Sequence, residues 1–415
     1  MKLDALQSPR YRRFWLGSMA SVGATQLYFV GMAWLVFELS GSALNLGLLG
    51  VAIAIPTIFA TLAGGSLADR TDRRQMLLVT SALAGTALAV LALLDAMGLV
   101  TVWQVLLIAA LLGLISGFDI PARVSFFPTL VRPEQMMSAV ALNSILWQST
   151  RMVLPAIGGV LIAIADTALV FVLCAAGFAV MIFVLTSLEI QHPRADSDRA
   201  RGGLREAAGF IAQQRLFLLL IGLTWITMFF GTSYVQILPV FSQLLGGGER
   251  GYGLLLSATG VGSVTGTVLV GRLQQSRYLG RVMLGGAAAA ALSLLGFAAV
   301  GSYGTTMPGA FAAACACAML TGLFGSTFLI SSMTVLQLKV PDALRGRVMG
   351  IHSITFSLIA LGGLVMGPLA ESFSAPIAVT SGALVVFASV VTVFLGYPSI
   401  RRLDGRELLQ PPVSD

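Results

Sequence analysis

Asn143, Trp147 and Arg151 recur every four residues, with Gln148 one step round the same helix. Positions i, i+4 and i+8 share one helix face, so an amide, an indole and a guanidinium look the same way. Such a set can bind a solute: the amide orients it, the indole stacks on it and the guanidinium holds an anionic group. Trp147 reads equally well as bundle packing. Arg151 lies about 13 residues into an apolar stretch, roughly 20 Å deep at about 1.5 Å per residue. A charge at that depth costs at least about 2.5–3.5 kcal/mol unless it meets a polar cavity or a partner. Of the 18 acidic residues, Glu38, Asp95, Asp166, Glu249 and Glu371 fall at one set of stretch ends and the rest at the other; none falls mid-stretch. An anionic substrate is one candidate counter-charge for Arg151. Backbone carbonyls and polar neighbours are the structural alternative.

Other chemistry is sparse. His352 is the one histidine in an apolar stretch, placed to titrate near neutral pH or to sit as an interfacial residue. Asp119, near the inner end of an apolar stretch, is the carboxylate best placed to be partly buried and so to carry a proton. No G-x-x-x-x-G-K-[ST] loop and no H-E-x-x-H motif occurs. Two histidines and three scattered cysteines (Cys174, Cys315, Cys317) do not build a usual metal centre or a C-x-x-C pair. No catalytic residues, cofactor or metal are expected, and the chain is not read as an enzyme.

The elements that position these residues are twelve apolar stretches, at 14–38, 44–67, 76–95, 102–122, 138–163, 167–188, 216–241, 252–271, 282–301, 308–330, 348–370 and 376–398. Roughly 20 apolar residues cross a bilayer as a helix. The chain is 57% hydrophobic and 10% charged, against about 25% charged for a soluble domain. Of its 25 Lys and Arg, all but Arg250 and Arg151 fall at the N-terminus, in alternate gaps or in the C-terminal tail. Positive loops stay cytoplasmic, so the alternation predicts an even number of spans with both termini inside. It also accounts for the net charge of +7 without nucleic acid. The first stretch is too long for a signal h-region and has no cleavage site.

The two halves repeat. Gly65-Ser-Leu-Ala-Asp-Arg-Thr-Asp-Arg-Arg74 and Gly271-Arg-Leu-Gln-Gln-Ser-Arg-Tyr-Leu-Gly280 lie 206 residues apart. The prolines of Leu130-Val-Arg-Pro-Glu134 and Lys339-Val-Pro-Asp342 lie 208 apart. This predicts an N-terminal six-helix bundle over 1–190, a linker over 191–215, a C-terminal bundle over 216–400 and a tail over 401–415. Residues 204–217 carry helical spacing, as an amphipathic helix lying on the membrane surface would. Two such bundles enclose a cavity near the midplane and can rock to open it to either side in turn.

Gly65-x-Leu-Ala-Asp69-Arg70-x-x-Arg73-Arg74 resembles the signature loop between helices two and three of the major facilitator superfamily, with Asp72 where that pattern usually has Gly. Asp119-Ile-Pro-Ala-Arg123, Leu130-Val-Arg-Pro-Glu134 and Val340-Pro-Asp-Ala-Leu-Arg-Gly-Arg-Val-Met349 resemble a bacterial exporter group that handles siderophores such as enterobactin and macrolide drugs. The resemblance implies an all-α membrane fold of twelve helices in two pseudo-symmetric bundles. It implies alternating-access export of an amphipathic or anionic small molecule in exchange for protons, by a monomer in the bacterial inner membrane. It implies a conformational latch from Gly65, Asp69, Arg70 and Arg73, joined by Asp119 and Arg123. It also implies that helices one, four, seven and ten line the cavity, which adds Gln26, Trp225 and Gln236 to the substrate candidates. Two departures bear on proton antiport. Leu106-Leu-Ile-Ala-Ala-Leu-Leu-Gly113 has no mid-helix Arg, and Leu154-Pro155 stands where Gly-Pro is usual on helix five. The Pro-Ala-Arg ending of the fourth stretch also fits lysophospholipid transporters of the same superfamily. A membrane scaffold or sensor would want a large soluble domain, and the sequence offers none.

Overall fold

The computed structural model describes residues 4–68, 72–188, 204–273, 276–306, 308–341, 344, 348 and 355–406. Among these residues, twelve helical segments are long and apolar enough to cross a membrane. The first six are α1 (Pro9–Ser40), α2 (Ala43–Ala68), α3 (Arg73–Ala96), α4 (Val102–Phe126), α5 (Met136–Ile164) and α6 (Thr167–Thr186). A short α7 (Leu204–Gln213) precedes the second set. That set holds α8 (Arg215–Ile226), α9 (Leu238–Leu244), α10 (Gly248–Leu273), α11 (Leu279–Tyr303), α12 (Ala310–Lys339), α13 (Thr355–Ser372), α14 (Ala375–Gly396) and the single turn α15 (Pro398–Arg401). Two compact units result. One holds 1–200 with 248–257, the other 201–247 with 258–415.

Local chemistry sets the helix ends. The Ser8 side chain accepts from Tyr11 N ahead of Pro9, and Gly41 at φ 62° closes α1 in the left-handed conformation. Asp72, Asp166 and Ser374 cap α3, α6 and α14 through their side chains. In the first unit α1, α3, α4, α5 and α6 converge on Tyr11, Phe14, Leu77, Phe126, Leu142 and Met181. In the second, Phe217, Met283, Phe328, Leu336 and Val390 form the corresponding core.

Small residues bring backbones into contact. A Cβ on Gly113 of α4 would lie 2.4 Å from the Ile53 carbonyl of α2, and one on Gly117 would lie 2.4 Å from Ala60 Cβ. In the second unit a Cβ on Gly262 of α10 would meet the Met319 carbonyl of α12, and one on Gly266 would meet that of Leu323. A Cβ on Gly322 would meet the Thr259 carbonyl. Positions 259, 319 and 323 are 53, 113 and 117 advanced by the 206 residues that separate the paired loops. The same helix–helix contact therefore occurs twice, with its glycines on α4 in the first unit and on both α10 and α12 in the second. The Gly262–Gly266 pair packs on α12 of its own unit, as a small-x-x-x-small face does.

Three expectations change. The stretch 216–241 is not one continuous α-helix. It is α8, a π-helical segment at Thr227–Thr232, a 3-10 segment at Ser233–Ile237, then α9. Pro239, second in α9, has no N–H to return to residue 235, so the α ladder fails there whatever the hydropathy. The helix expected over 204–217 breaks at Gln214, whose φ of −110° and ψ of 107° are extended. Phe210 and Ile211 fold back so that Phe210 meets Phe217 at 5.1 Å between ring centroids. Finally, α5 reaches from Met136 to Ile164, slightly beyond 138–163.

Candidate functional site

Asp119 and Arg123 are one turn apart on α4, the spacing at which helix side chains meet. Arg123 Nη2 lies 3.1 Å from Asp119 Oδ2, and Nε donates to the same oxygen at 3.1 Å. Arg123 Nη1 donates to Ser18 Oγ of α1 at 2.9 Å. From α3, the Thr80 hydroxyl donates to Asp119 Oδ1 at 3.0 Å. Arg123 is 5% exposed. A charge so enclosed is stable only when its hydrogen bonds are met; Asp119 of α4 and Ser18 of α1 meet those of Arg123, and Thr80 of α3 supports the carboxylate in turn. Beside the carboxylate lies a cavity of about 20 Å³, lined by the hydroxyl-bearing residues Thr25, Tyr28, Thr80 and Ser116. That is room for about one water. None of Ser18, Thr25, Tyr28, Thr80 or Ser116 stood out in the sequence. Their one signal is being polar within apolar stretches, which many serines and threonines of this chain share.

Arg73 and Arg74 tie the start of α3 to its neighbours. Arg73 Nη1 donates to the Ser125 carbonyl in the last turn of α4 at 3.2 Å. Arg74 Nε and Nη2 donate to the carbonyls of Leu185 and Thr186, at 2.7 and 3.1 Å, at the end of α6. Cations placed on the carbonyls of a helix C-terminus are favoured by the helix dipole. Both contacts are internal to the first unit. Asp69, Arg70 and His352 lie outside the described residues, and Gly65 is placed only as part of α2.

On α5, Asn143 and Trp147 are half-buried and Arg151 is exposed, two turns further along. Gln148 lies on α5 and its side chain is not among those described. Pro155 removes the N–H that would bond the Arg151 carbonyl, so the ladder opens one turn beyond the guanidinium-bearing residue. Gly159, a turn on, is in backbone contact with the start of α10: a Cβ there would lie 2.7 Å from Gly253 Cα. Gln26 is half-buried on α1.

Trp225 and Gln236, both half-buried, belong to the second unit and flank the π-helical and 3-10 interruption. The indole N–H of Trp225 is buried without a hydrogen-bond partner among the described residues. The π stretch is clamped by two glycines: a Cβ on Gly362 of α13 or Gly382 of α14 would lie 2.2 Å or 2.4 Å from the carbonyls of Phe229 and Phe230. Irregular turns of this kind inside membrane spans concentrate at functional positions. The four substrate candidates on α5, with Gln26, thus share the first unit, while Trp225 and Gln236 share the second. No group of three His, Cys, Asp or Glu side chains suited to a metal ion occurs among the described residues.

The chain matches known proteins over nearly its full length. The profile of the family described as transmembrane secretion effector covers residues 2–409. The enterobactin exporter EntS of Salmonella typhimurium is 28% identical, the alignment covering 98% of this chain and 96% of the exporter. The staphyloferrin A transporter of Staphylococcus aureus is 22% identical, over 83% of this chain and 85% of that protein. Among solved structures, a bacterial homologue of the human lysosomal transporter Spinster superposes with a TM-score of 0.72 at 15% identity, covering 98% of each chain. A bacterial homologue of the iron transporter ferroportin gives 0.68 at 16% identity, over 92% of this chain and 98% of that one. The chain is a multi-pass membrane transporter and not an enzyme. It belongs to the transmembrane secretion effector family of the major facilitator superfamily.

Proposed function

We propose that this protein exports an anionic, amphipathic small molecule of the siderophore class by alternating access, with protons moving inward in exchange. The observation that carries the reading is an exposed arginine, Arg151, in mid-span on α5, sharing a face with Asn143 and Trp147. A guanidinium there offers charge-assisted hydrogen bonds to carboxylate or catecholate oxygens in surroundings of low dielectric. Trp147 supplies a surface for an aromatic group. Gln148, Gln26, Trp225 and Gln236 supply further polar and aromatic contacts. The relatives that span nearly the whole chain and are named for siderophores support the same substrate class.

Asp119 is the proposed proton carrier, with His352 as a second candidate. The carboxylate adjoins a hydroxyl-lined, water-sized cavity, and protonating it would loosen its hold on Arg123. The Arg123–Ser18 and Thr80–Asp119 bonds join three helices, so that loosening alters their packing. Gly65, Asp69, Arg70 and Arg73 are proposed as the latch, with Asp119 and Arg123 behind it. The protein acts as a monomer surrounded by lipid in a bacterial inner membrane, both termini cytoplasmic.

Everted membrane vesicles test this. Uptake of enterobactin should require a proton gradient and collapse with an uncoupler; uptake that ignores the gradient removes the exchange. Arg151→Ala should lower uptake of an anionic siderophore by about tenfold or more, the loss of one charge-assisted contact, while a neutral macrolide is spared. Equal loss for both solutes would remove the anion-binding role. Translocation of labelled lysophospholipid, with no siderophore uptake, would favour a lipid flippase instead.

A further inference from the structure

A groove of about 450 Å³ runs between α3 and α4, walled by Val79 and Leu83 on one side and Leu111 and Leu114 on the other. These four are 41–51% exposed, so the groove is open along its length. Apart from Thr80, its polar residues gather at one end, where Asp72 and Gln75 open α3. From Asp72 to Leu83 the helix rises roughly 16 Å, about half of the roughly 30 Å hydrocarbon core. The groove therefore begins at the membrane surface and ends near the midplane. That is the span of a single leaflet. It lies between neighbouring helices of the first unit.

We propose that this groove holds one acyl chain of a phospholipid, with its headgroup beside Asp72 and Gln75. An extended hydrocarbon chain anchored at the surface matches both the length and the one polar end. The Asp72 carboxylate and Gln75 amide suit the ammonium and phosphate of a zwitterionic headgroup, and the Arg73 and Arg74 charges stand at the same end. Thr80 and Ile115 line this groove and also the small cavity beside Asp119. A chain seated in the groove thus packs over the threonine whose hydroxyl holds the carboxylate. The lipid becomes a buttress of the ion pair. This goes beyond the transport reading; only the choice of the cytoplasmic leaflet rests on the orientation proposed above.

The test uses the full chain, purified in detergent and given phosphatidylethanolamine with a diazirine in its acyl tail. Photo-adducts should map to 75–83 and 111–118, about tenfold above the similarly exposed Val172 and Val180 of α6. Even labelling of all three helices would overturn the proposal, because a merely solvating lipid touches every exposed apolar face. Leu83→Trp should fill the groove and cut its adducts about tenfold, with those on α6 unchanged. Leu111→Trp, on the opposite wall, should do the same. Undiminished groove labelling in both variants would also overturn it, and the wild-type map stands whether or not either variant folds.

Discussion

Two arginines on membrane-spanning helices differ in exposure. Arg123 is buried and held by Asp119 and Ser18, whereas Arg151 is exposed. Removing one partner of a buried ion pair leaves the other charge without compensation, at a cost of about 3–5 kcal/mol, while removing both costs far less. Arg123→Ala should therefore lower unfolding stability by about that amount, and Asp119→Asn with Arg123→Ala should recover part of it. Thermal or denaturant unfolding of the four proteins in one detergent, read as a double-mutant cycle, checks this; strictly additive losses would mean the pair is not coupled. As a pair, Asp119 and Arg123 were singled out in the sequence only through the resemblance, and their four-residue spacing lets them meet on α4. Ser18 and Thr80 were not singled out, since they stand 105 and 39 residues from the groups they bond and nothing local marks them. Arg151 was conspicuous for the opposite reason: a cation in an apolar run needs no partner to be noticed. At that position Arg151→Lys should keep part of the anion uptake that Arg151→Ala loses, because charge survives but the planar fork does not.

Among the elements, the spans were legible because hydropathy reports length in a bilayer; the caps Ser8, Asp72 and Gly41, which set their ends, come from the structure. The interruption of the seventh span was not legible. A run such as Thr227-Met-Phe-Phe-Gly-Thr232 is apolar enough for any helix, and the π turn is set by what packs against it. Gly362 and Gly382 contact its carbonyls from α13 and α14. Gly362→Ala places a methyl 2.2 Å from the Phe229 carbonyl, a backbone atom with little room to yield. Overpacking of this kind costs about 1–3 kcal/mol. Gly262→Ala and Gly322→Ala, each aimed at a backbone carbonyl across the α10–α12 contact, should lose at least as much. Gly285→Ala in α11 meets nothing within 4 Å. There the better helix propensity of alanine should leave stability unchanged or raised by up to about 1 kcal/mol. Comparing unfolding midpoints of the four variants separates contact from propensity; a destabilised Gly285→Ala would undercut the contact argument.

At the scale of the molecule, the duplicated contact and the charge pattern constrain the topology from different directions. The contact pairs 53, 113 and 117 with 259, 319 and 323, so each half carries the same second-to-fourth-span geometry at an offset of 206 residues. Each half then needs the same number of crossings, and six per half returns the chain to the side it left. The proposed orientation rests on charge: cations other than Arg250 and Arg151 gather at one set of ends, and such segments resist translocation. Gln75, Gln214, Leu99 and Arg250 are exposed at helix ends or turns and can carry a single cysteine each. With Cys174, Cys315 and Cys317 replaced, an impermeant maleimide should label Leu99→Cys and Arg250→Cys on intact cells. It should reach Gln75→Cys and Gln214→Cys only after permeabilisation. Labelling of Gln75→Cys and Gln214→Cys from opposite faces would make the crossings between them odd. The proposed cytoplasmic placement of both ends would then fail, and the basic ends that the proposed latch and lipid groove share would be split across the membrane.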